Sequence, residues 1–395
     1  MSAWRLAAAT AAVACALLAA PGGAPAATSC SFNAGGGLLF VDMNEANDQA
    51  FLTVAAGPSA EIVVVGRSGQ VPCTGAATPV TTNTDSINIL NQPGATGTVV
   101  RIDGTGRFGP GVESELGGTR EIEFFVNLRD DPGSQLVVAD DGVSMRLGTD
   151  GINPNAFGGE VAPDADIFFA GVPDGGLVIA GGPSGDVLGA QGGAGTARPR
   201  TDRVVLQGLG GPDSLTGGEG ADTLVGEEGG DGLAGGGGDD VLRPGGGDDR
   251  VDGGPGIDTV DYADDFARVS IDLAIDGPQP TGAGSDSLAQ VENVVGGGLA
   301  DVLRGDDGPN ALDGGAREDL IEGRGGEDTL TGGEGADTLD VRDGGADRVD
   351  CGAGADTVIA DDPGMDLLTG CEIVVFPGAG GGVPAGGAGG GSRPP

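Results

Sequence analysis

The chain contains no histidine and no lysine, so its 19 basic residues are all arginines. A histidine-based zinc protease and a Ser-His-Asp hydrolase are thereby excluded. No lysine is present for Schiff-base chemistry or for a phosphate-binding loop ending in G-K-[ST], and no G-x-S-x-G elbow occurs. Aromatic residues make up 3% of 395, with one tryptophan and one tyrosine, which argues against a thick aromatic core. The one long apolar run, Leu6 to Ala20, is too short to span a bilayer comfortably.

What the chain has instead is glycine, 84 residues of it, and acid: 60 Asp and Glu give a formal net charge of -41. Of those 60 acids, 40 lie from residue 201 onward. Nucleic acid is a poor partner for such a surface, and unneutralised charge of this size opposes compaction. A chain with 38% hydrophobic residues and this much glycine folds by burying a thin, regular aliphatic seam, as repeat architectures do.

The N-terminus reads as a secretory signal: Arg5, the apolar stretch to Ala20, then Ala24-Pro25-Ala26, with cleavage expected after Ala26 or Ala27. The rival is a lipid anchor on Cys15, but Ala12 stands where a lipobox prefers leucine. Four cysteines remain in the exported chain, with three connectivities open to them. Proximity favours Cys30–Cys73 and Cys351–Cys371.

Short apolar runs separated by Gly, Asp, Asn and Pro predict strands at Leu38–Val41, Phe51–Val54, Ile62–Val65 and Val99–Ile102. They continue at Ile122–Leu128, Gln135–Val138, Val143–Leu147, Ile167–Phe169, Leu177–Ile179 and Val204–Leu206. A sandwich or a solenoid suits this spacing. The degenerate unit Gly181–Gly189 favours the solenoid.

From Gly208 six nonapeptides follow without interruption. Their sixth-place aspartates are Asp213, Asp222, Asp231, Asp240, Asp249 and Asp258, and their eighth-place residues are Leu215, Leu224, Leu233, Leu242, Val251 and Val260. The repeat lapses from Tyr262 to Val295, where a longer loop with its tip at Gly277–Ser287 is expected. It resumes with Asp301, Asn310, Asp319, Asp328 and Asp337. Val341 then reads as one extra residue, giving Asp347 and Asp356. Asn310 keeps an oxygen but loses the charge, and arginines replace glycine at Arg317 and Arg324, which should loosen those turns. The Gly- and Pro-rich tail cannot bury enough apolar surface to order itself. The expected divisions are 1–26, 27–200, 201–261, 262–295, 296–377 and 378–395: signal, β-rich region, first array, inter-array coils, second array and disordered tail.

This pattern suits a hard cation. Calcium takes six to eight oxygens. A Gly-Gly-x-Gly turn can curl its carbonyls inward, and the sixth-place aspartate adds a carboxylate. One unit makes half a coil, so units two apart stack, with Asp213, Asp231 and Asp249 on one side and Asp222, Asp240 and Asp258 on the other. Without the ion the stacked carboxylates repel, so binding and folding form one equilibrium.

Gly217–Val225, Gly235–Arg243, Gly253–Asp261 and Gly332–Asp340 match G-G-x-G-x-D-x-(aliphatic)-x at every specified place. In this the chain resembles the repeats-in-toxin, or haemolysin-type, calcium-binding family. The resemblance implies an all-β, right-handed parallel β-roll with several Ca2+ ions in the turns. It implies side-chain ligation by Asp213, Asp222, Asp231, Asp240, Asp249, Asp258, Asp301, Asp319, Asp328, Asp337, Asp347 and Asp356. Carbonyls at glycine positions, among them Gly217, Gly220, Gly235, Gly238, Gly253, Gly256, Gly332 and Gly335, supply the rest. Unlike many members, this chain has an N-terminal signal and shows no catalytic or lytic domain. The expectation is a secreted, extracellular, non-enzymatic protein in a structural, adhesion or interaction role, with cell-surface or matrix components as partners. The alternative is a calcium-dependent polysaccharide lyase or epimerase with the region from Cys30 to Leu206 as its working surface; Tyr262, near Asp261, Asp264 and Asp265, is a candidate residue for it, although it reads first as an ordinary residue leaving the last coil.

Overall fold

The computed structural model describes residues 202–376, apart from 265–266, 282–283 and 362. It also describes strands and a few adjoining residues between Thr28 and Ala190, and the pair Val383–Pro384. The expected signal segment, residues 1–26, lies outside the described residues. Among the described residues there is no helix, and hence none long and apolar enough to cross a membrane.

In the first array each nonapeptide contributes one short strand, begun by the three places after its aspartate, while the glycine-rich places before it form the turn. Ser214–Thr216, Gly232–Ala234 and Arg250–Asp252 lie in one sheet; Thr223–Glu228, Val241–Gly246 and Thr259–Asp261 lie in the other. Pairing is parallel with an 18-residue step: Ser214 opposite Gly232, Gly232 opposite Arg250, Thr223 opposite Val241. The alternation of a pleated strand then sends the eighth-place residue inward. Leu224, Leu242, Val260, Leu303, Ile321, Leu330, Leu339 and Val358 are fully buried, and Leu215, Leu233, Val251, Leu312 and Val349 nearly so. Ninth-place residues point outward and pair along the coil axis, as in the 2.7 Å bond from Arg243 Nε to Asp261 Oδ2. The architecture is the expected parallel β-roll.

The N-terminal strands belong to the same two sheets. Leu177–Ala180 pairs with Val204–Gln207, and Val187–Gly189 pairs with Ser214–Thr216. The ladder continues back through Gln135–Ala139 and Val99–Asp103, with Ile102, Leu136, Val138, Ile179 and Leu188 in one core with the array. Ser86–Asn91, a strand that the sequence reading passes over, alternates Ile87 and Ile89 and pairs with Leu38–Met43. The backbone register places Cys30 opposite Cys73. Cys351 and Cys371 are joined by a disulfide with a Cα–Cα distance of 5.2 Å.

Between the arrays the coil has three sides. After Thr259–Asp261 the chain adds Ser270–Asp272, which founds a third sheet, and then Ser285–Ala289 closes the first sheet against Arg250–Asp252. Asn293–Val295 returns to the second sheet, which runs unbroken through both arrays. The expected loop tip at Gly277–Ser287 is corrected: Gln279–Pro280 and Ser285–Asp286 form an antiparallel hairpin that leads into the strand burying Leu288. The extra residue is also relocated. Val341 takes the first-place corner, fully buried, with its N–H donating to the Ile359 carbonyl, so the added residue lies in the turn that follows. In the tail, Val383–Pro384 pairs antiparallel with Ile373–Val374 at the last edge of the third sheet. The other tail residues lie outside the described residues.

Because Leu242 is fully buried and Ile257 is 60% exposed, their truncation should separate cleanly. Leu242→Ala is expected to destabilise the calcium-loaded protein by about 2–5 kcal/mol. Ile257→Ala should stay within about 0.5 kcal/mol. Urea unfolding midpoints measured in calcium check this.

Candidate metal centre

The turns between strands are built by glycine where no other residue fits. Second-place Gly236, Gly254 and Gly333 have φ of 105°, 97° and 101°, each with the carbonyl of the equivalent residue one coil earlier where a Cβ would stand. Fourth-place Gly238 and Gly256 stack on the Gly220 and Gly238 carbonyls in the same way, and Gly335 stacks on that of Arg317. First-place glycines face the opposite direction. A Cβ on Gly235 would lie 2.3 Å from Asp240 Oδ2 and 2.6 Å from the Gly253 carbonyl oxygen; one on Gly217 would lie 2.8 Å from Asp222 Oδ2 and 1.9 Å from the Gly235 oxygen. Gly253 and Gly332 repeat the arrangement with Asp258 and Asp337. A side-chain oxygen and a carbonyl oxygen of the next coil thus converge in a space that only glycine leaves open.

Every sixth-place aspartate named from the sequence is buried. Oδ1 of each caps the coil before it. The Asp222 N–H donates to Asp240 Oδ1 at 2.7 Å, and the Asp240 N–H to Asp258 Oδ1 at 2.8 Å. On the other side the Asp213 N–H reaches Asp231 at 2.8 Å, and the Asp231 N–H reaches Asp249 at 2.7 Å. Asp301, Asp319, Asp337 and Asp356 form the same ladder in the second array, as do Asn310, Asp328 and Asp347. The predicted phase is therefore observed as direct bonds.

The second carboxylate oxygen is the unusual one. Oδ2 of Asp213, Asp231, Asp240, Asp258, Asp319, Asp328, Asp337, Asp347 and Asp356 is buried without a hydrogen-bond partner. Asp222 and Asp301 instead accept at Oδ2 from the Gly218 and Gly297 N–H groups. Buried oxygens in this number need an explanation, because leaving one unsatisfied costs about 1–3 kcal/mol. A hard cation supplies it. Among the described residues no three acidic, cysteine or histidine side chains converge on one point. Carboxylates are offered singly, and backbone carbonyls of stacked turns complete an all-oxygen donor set that fits calcium.

Burial drives the electrostatics. It is the largest effect on each shifted carboxylate, ahead of the bond from the coil before, which lowers the pKa, and of the stacked acids, which raise it. Asp240, Asp319 and Asp328 rise from an ordinary 3.8 to about 7, and Asp213, Asp258 and Asp347 to about 6. Asp231, Asp301 and Asp337 are raised as well.

Several acids with the same role are absent from the sequence-derived set. Asp186, in the degenerate unit, is buried beside Gly181, and its N–H donates to Asp213 Oδ1 at 2.7 Å. At the junction Asp286 accepts from the Asp249 N–H, and Glu292 from the Asp258 N–H. At the C-terminal end Asp366 and Glu372 accept from Asp347 and Asp356. Phase alone places Asp186 and Glu292; the others depend on how the coils close. Arg317 and Arg324 keep the left-handed conformation of the glycines they replace, with φ of 76° and 70°. Arg324 does not loosen its turn, since its guanidinium holds Asp272 and the Gly305 carbonyl.

Fold and turns together define a parallel β-roll with cation sites between its coils. The family model described as the RTX calcium-binding nonapeptide repeat matches in four copies, at residues 205–233, 231–260, 295–316 and 304–339. Residues 205–260 and 295–339 thus carry RTX calcium-binding repeats. Comparison with curated proteins finds no match.

Asp240 and Asp239 are adjacent acids with opposite surroundings, one buried and one exposed. Asp240→Ala is expected to raise the calcium concentration for half-maximal folding several-fold more than Asp239→Ala; equal shifts would mean that only net charge matters. The raised pKa values set a pH dependence for the metal-free chain. Their stabilising contribution is complete below the ordinary 3.8 and is lost as pH rises through about 6–7. In chelator, β-structure by circular dichroism should therefore grow as pH falls from 8 to about 5. With calcium the trend reverses, because protons compete for the same oxygens.

Proposed function

We propose that this is a secreted protein whose repeats fold on meeting extracellular calcium and that serves a structural, adhesion or interaction role without catalysis. The observation carrying the proposal is the row of buried, unpartnered Oδ2 atoms beside first-place glycines. A chain that reached this fold without metal would hold those charges unneutralised. The sixth-place aspartates and the first-place carbonyls are the proposed ligands. Secretion follows from the signal-like N-terminus and from the fit of disulfide chemistry at Cys351–Cys371 to an oxidising exterior. Folding would then be delayed until calcium is plentiful.

Tyr262 is one candidate residue for the enzymatic alternative. That side chain is 1% exposed, and its hydroxyl donates to the buried Asp286 at 2.9 Å, as a packing element of the three-sided coil. A substrate cannot meet it there.

Circular dichroism and calorimetry on the exported chain, with calcium and with chelator, test the proposal. Strong β signal and calcium uptake are expected in calcium, and loss of most β signal in chelator at pH 8. An unchanged spectrum with no calcium uptake would overturn it.

A further inference from the structure

The turn Gly305–Asn310 differs from its neighbours in three coincident ways. Its sixth-place residue is Asn310, whose amide has partners at both ends: Oδ1 accepts from the Asp306 N–H at 2.8 Å, and Nδ2 donates to the Glu292 carbonyl at 2.8 Å. The oxygen is held as Asp301 Oδ2 is held by the Gly297 N–H, but the other end is a donor, so this turn carries no sixth-place carboxylate. The unit stacked on it carries Arg324 at the second place, where Gly236, Gly254 and Gly333 stand elsewhere. Finally, a fixed positive charge stands at the edge of this turn. Arg324 Nη1 donates to it at 2.9 Å and to Asp272 Oδ1 at 2.7 Å, while Nη2 donates to Asp272 Oδ2 at 2.6 Å.

Resting on the calcium reading above, we infer that Arg324 is a built-in cation standing in place of calcium at this edge, and that the turn Gly305–Asn310 binds no ion. The guanidinium binds oxygens of the kind an ion would bind, a carbonyl and a carboxylate, at the edge of the turn. It does so through the planar fork that suits carboxylates, and it stays charged at any working pH. A divalent ion in the same turn would face that fixed charge with only an amide oxygen to hold it. The location gives the substitution a purpose. Asp272 ends Ser270–Asp272, the first strand of the third sheet, and Arg324 follows Leu320–Glu322, two strands further along that sheet. The fork therefore joins three consecutive coils where the new sheet begins, and the register of the second array starts from a contact that needs no metal.

Counting calcium ions bound per folded chain by native mass spectrometry tests this on the wild type, Asn310→Asp and Asn310→Asp/Arg324→Gly. Asn310→Asp is expected to leave the count unchanged, because Arg324 remains. The double variant restores an ordinary unit and should bind one ion more than wild type. If Asn310→Asp alone gains the ion, Arg324 is not what excludes it and the inference fails. If wild type binds calcium and a folded double variant gains none, it fails likewise. A double variant that does not fold leaves the decision to Asn310→Asp, whose unchanged count supports the inference. Wild type that binds no calcium at all sinks the calcium reading itself, and this inference with it.

Discussion

The structure depends on one electrostatic constraint: carboxylates stacked coil upon coil inside a thin wall. Sheet layers lie about 4.8 Å apart. At an effective dielectric of about 20, two like charges at that separation repel by about 3.5 kcal/mol. The ladder of bonds from each sixth-place N–H to the next Oδ1 satisfies half of every carboxylate and fixes its place. The other half faces a glycine-walled space shared with a carbonyl of the adjoining coil. The arrangement calls for positive charge there, which calcium or a proton can provide.

The same constraint accounts for the composition. Glycine is favoured at the first place because a Cβ would enter the oxygen-lined space, and at the second because the backbone turns into the left-handed region, which Leu209, Glu227 and Arg324 also adopt. So much glycine makes the unfolded chain costly to order. A single aliphatic residue per nonapeptide offsets this by contributing about 1.5–3 kcal/mol on burial. Aromatic residues have no place in so narrow a seam. The one tyrosine sits where the coil widens to three sides and its hydroxyl finds a buried carboxylate.

That widening makes the two arrays one body. The second sheet runs from Gln49–Val54 to Leu367–Thr369, while the sheet opposite it is exchanged at the junction. Changing one wall while keeping the other continuous lets the chain absorb an irregular segment without breaking the hydrophobic column, since Val269, Ile271, Leu288 and Val294 bridge the two runs of eighth-place residues.

The nine-residue phase, by itself, determined the coil: its 18-residue step, the inward eighth place and the buried sixth place. These follow from local backbone geometry and a period, which a sequence displays directly. Wherever the phase fails, the tertiary structure decided. Nothing in the spacing of Ser285–Ala289 tells that Leu288 packs over Val251 as a strand, or that Asp286 takes over the capping of Asp249. Likewise Val341 reads as an extra residue, yet its burial puts the insertion into the turn after it. Arg324 reads as a damaged glycine, and only the fold brings Asp272, 52 residues away, within reach of its fork. Local rules set what each unit must be, whereas long-range contacts depend on how the coils close in space, which no period encodes.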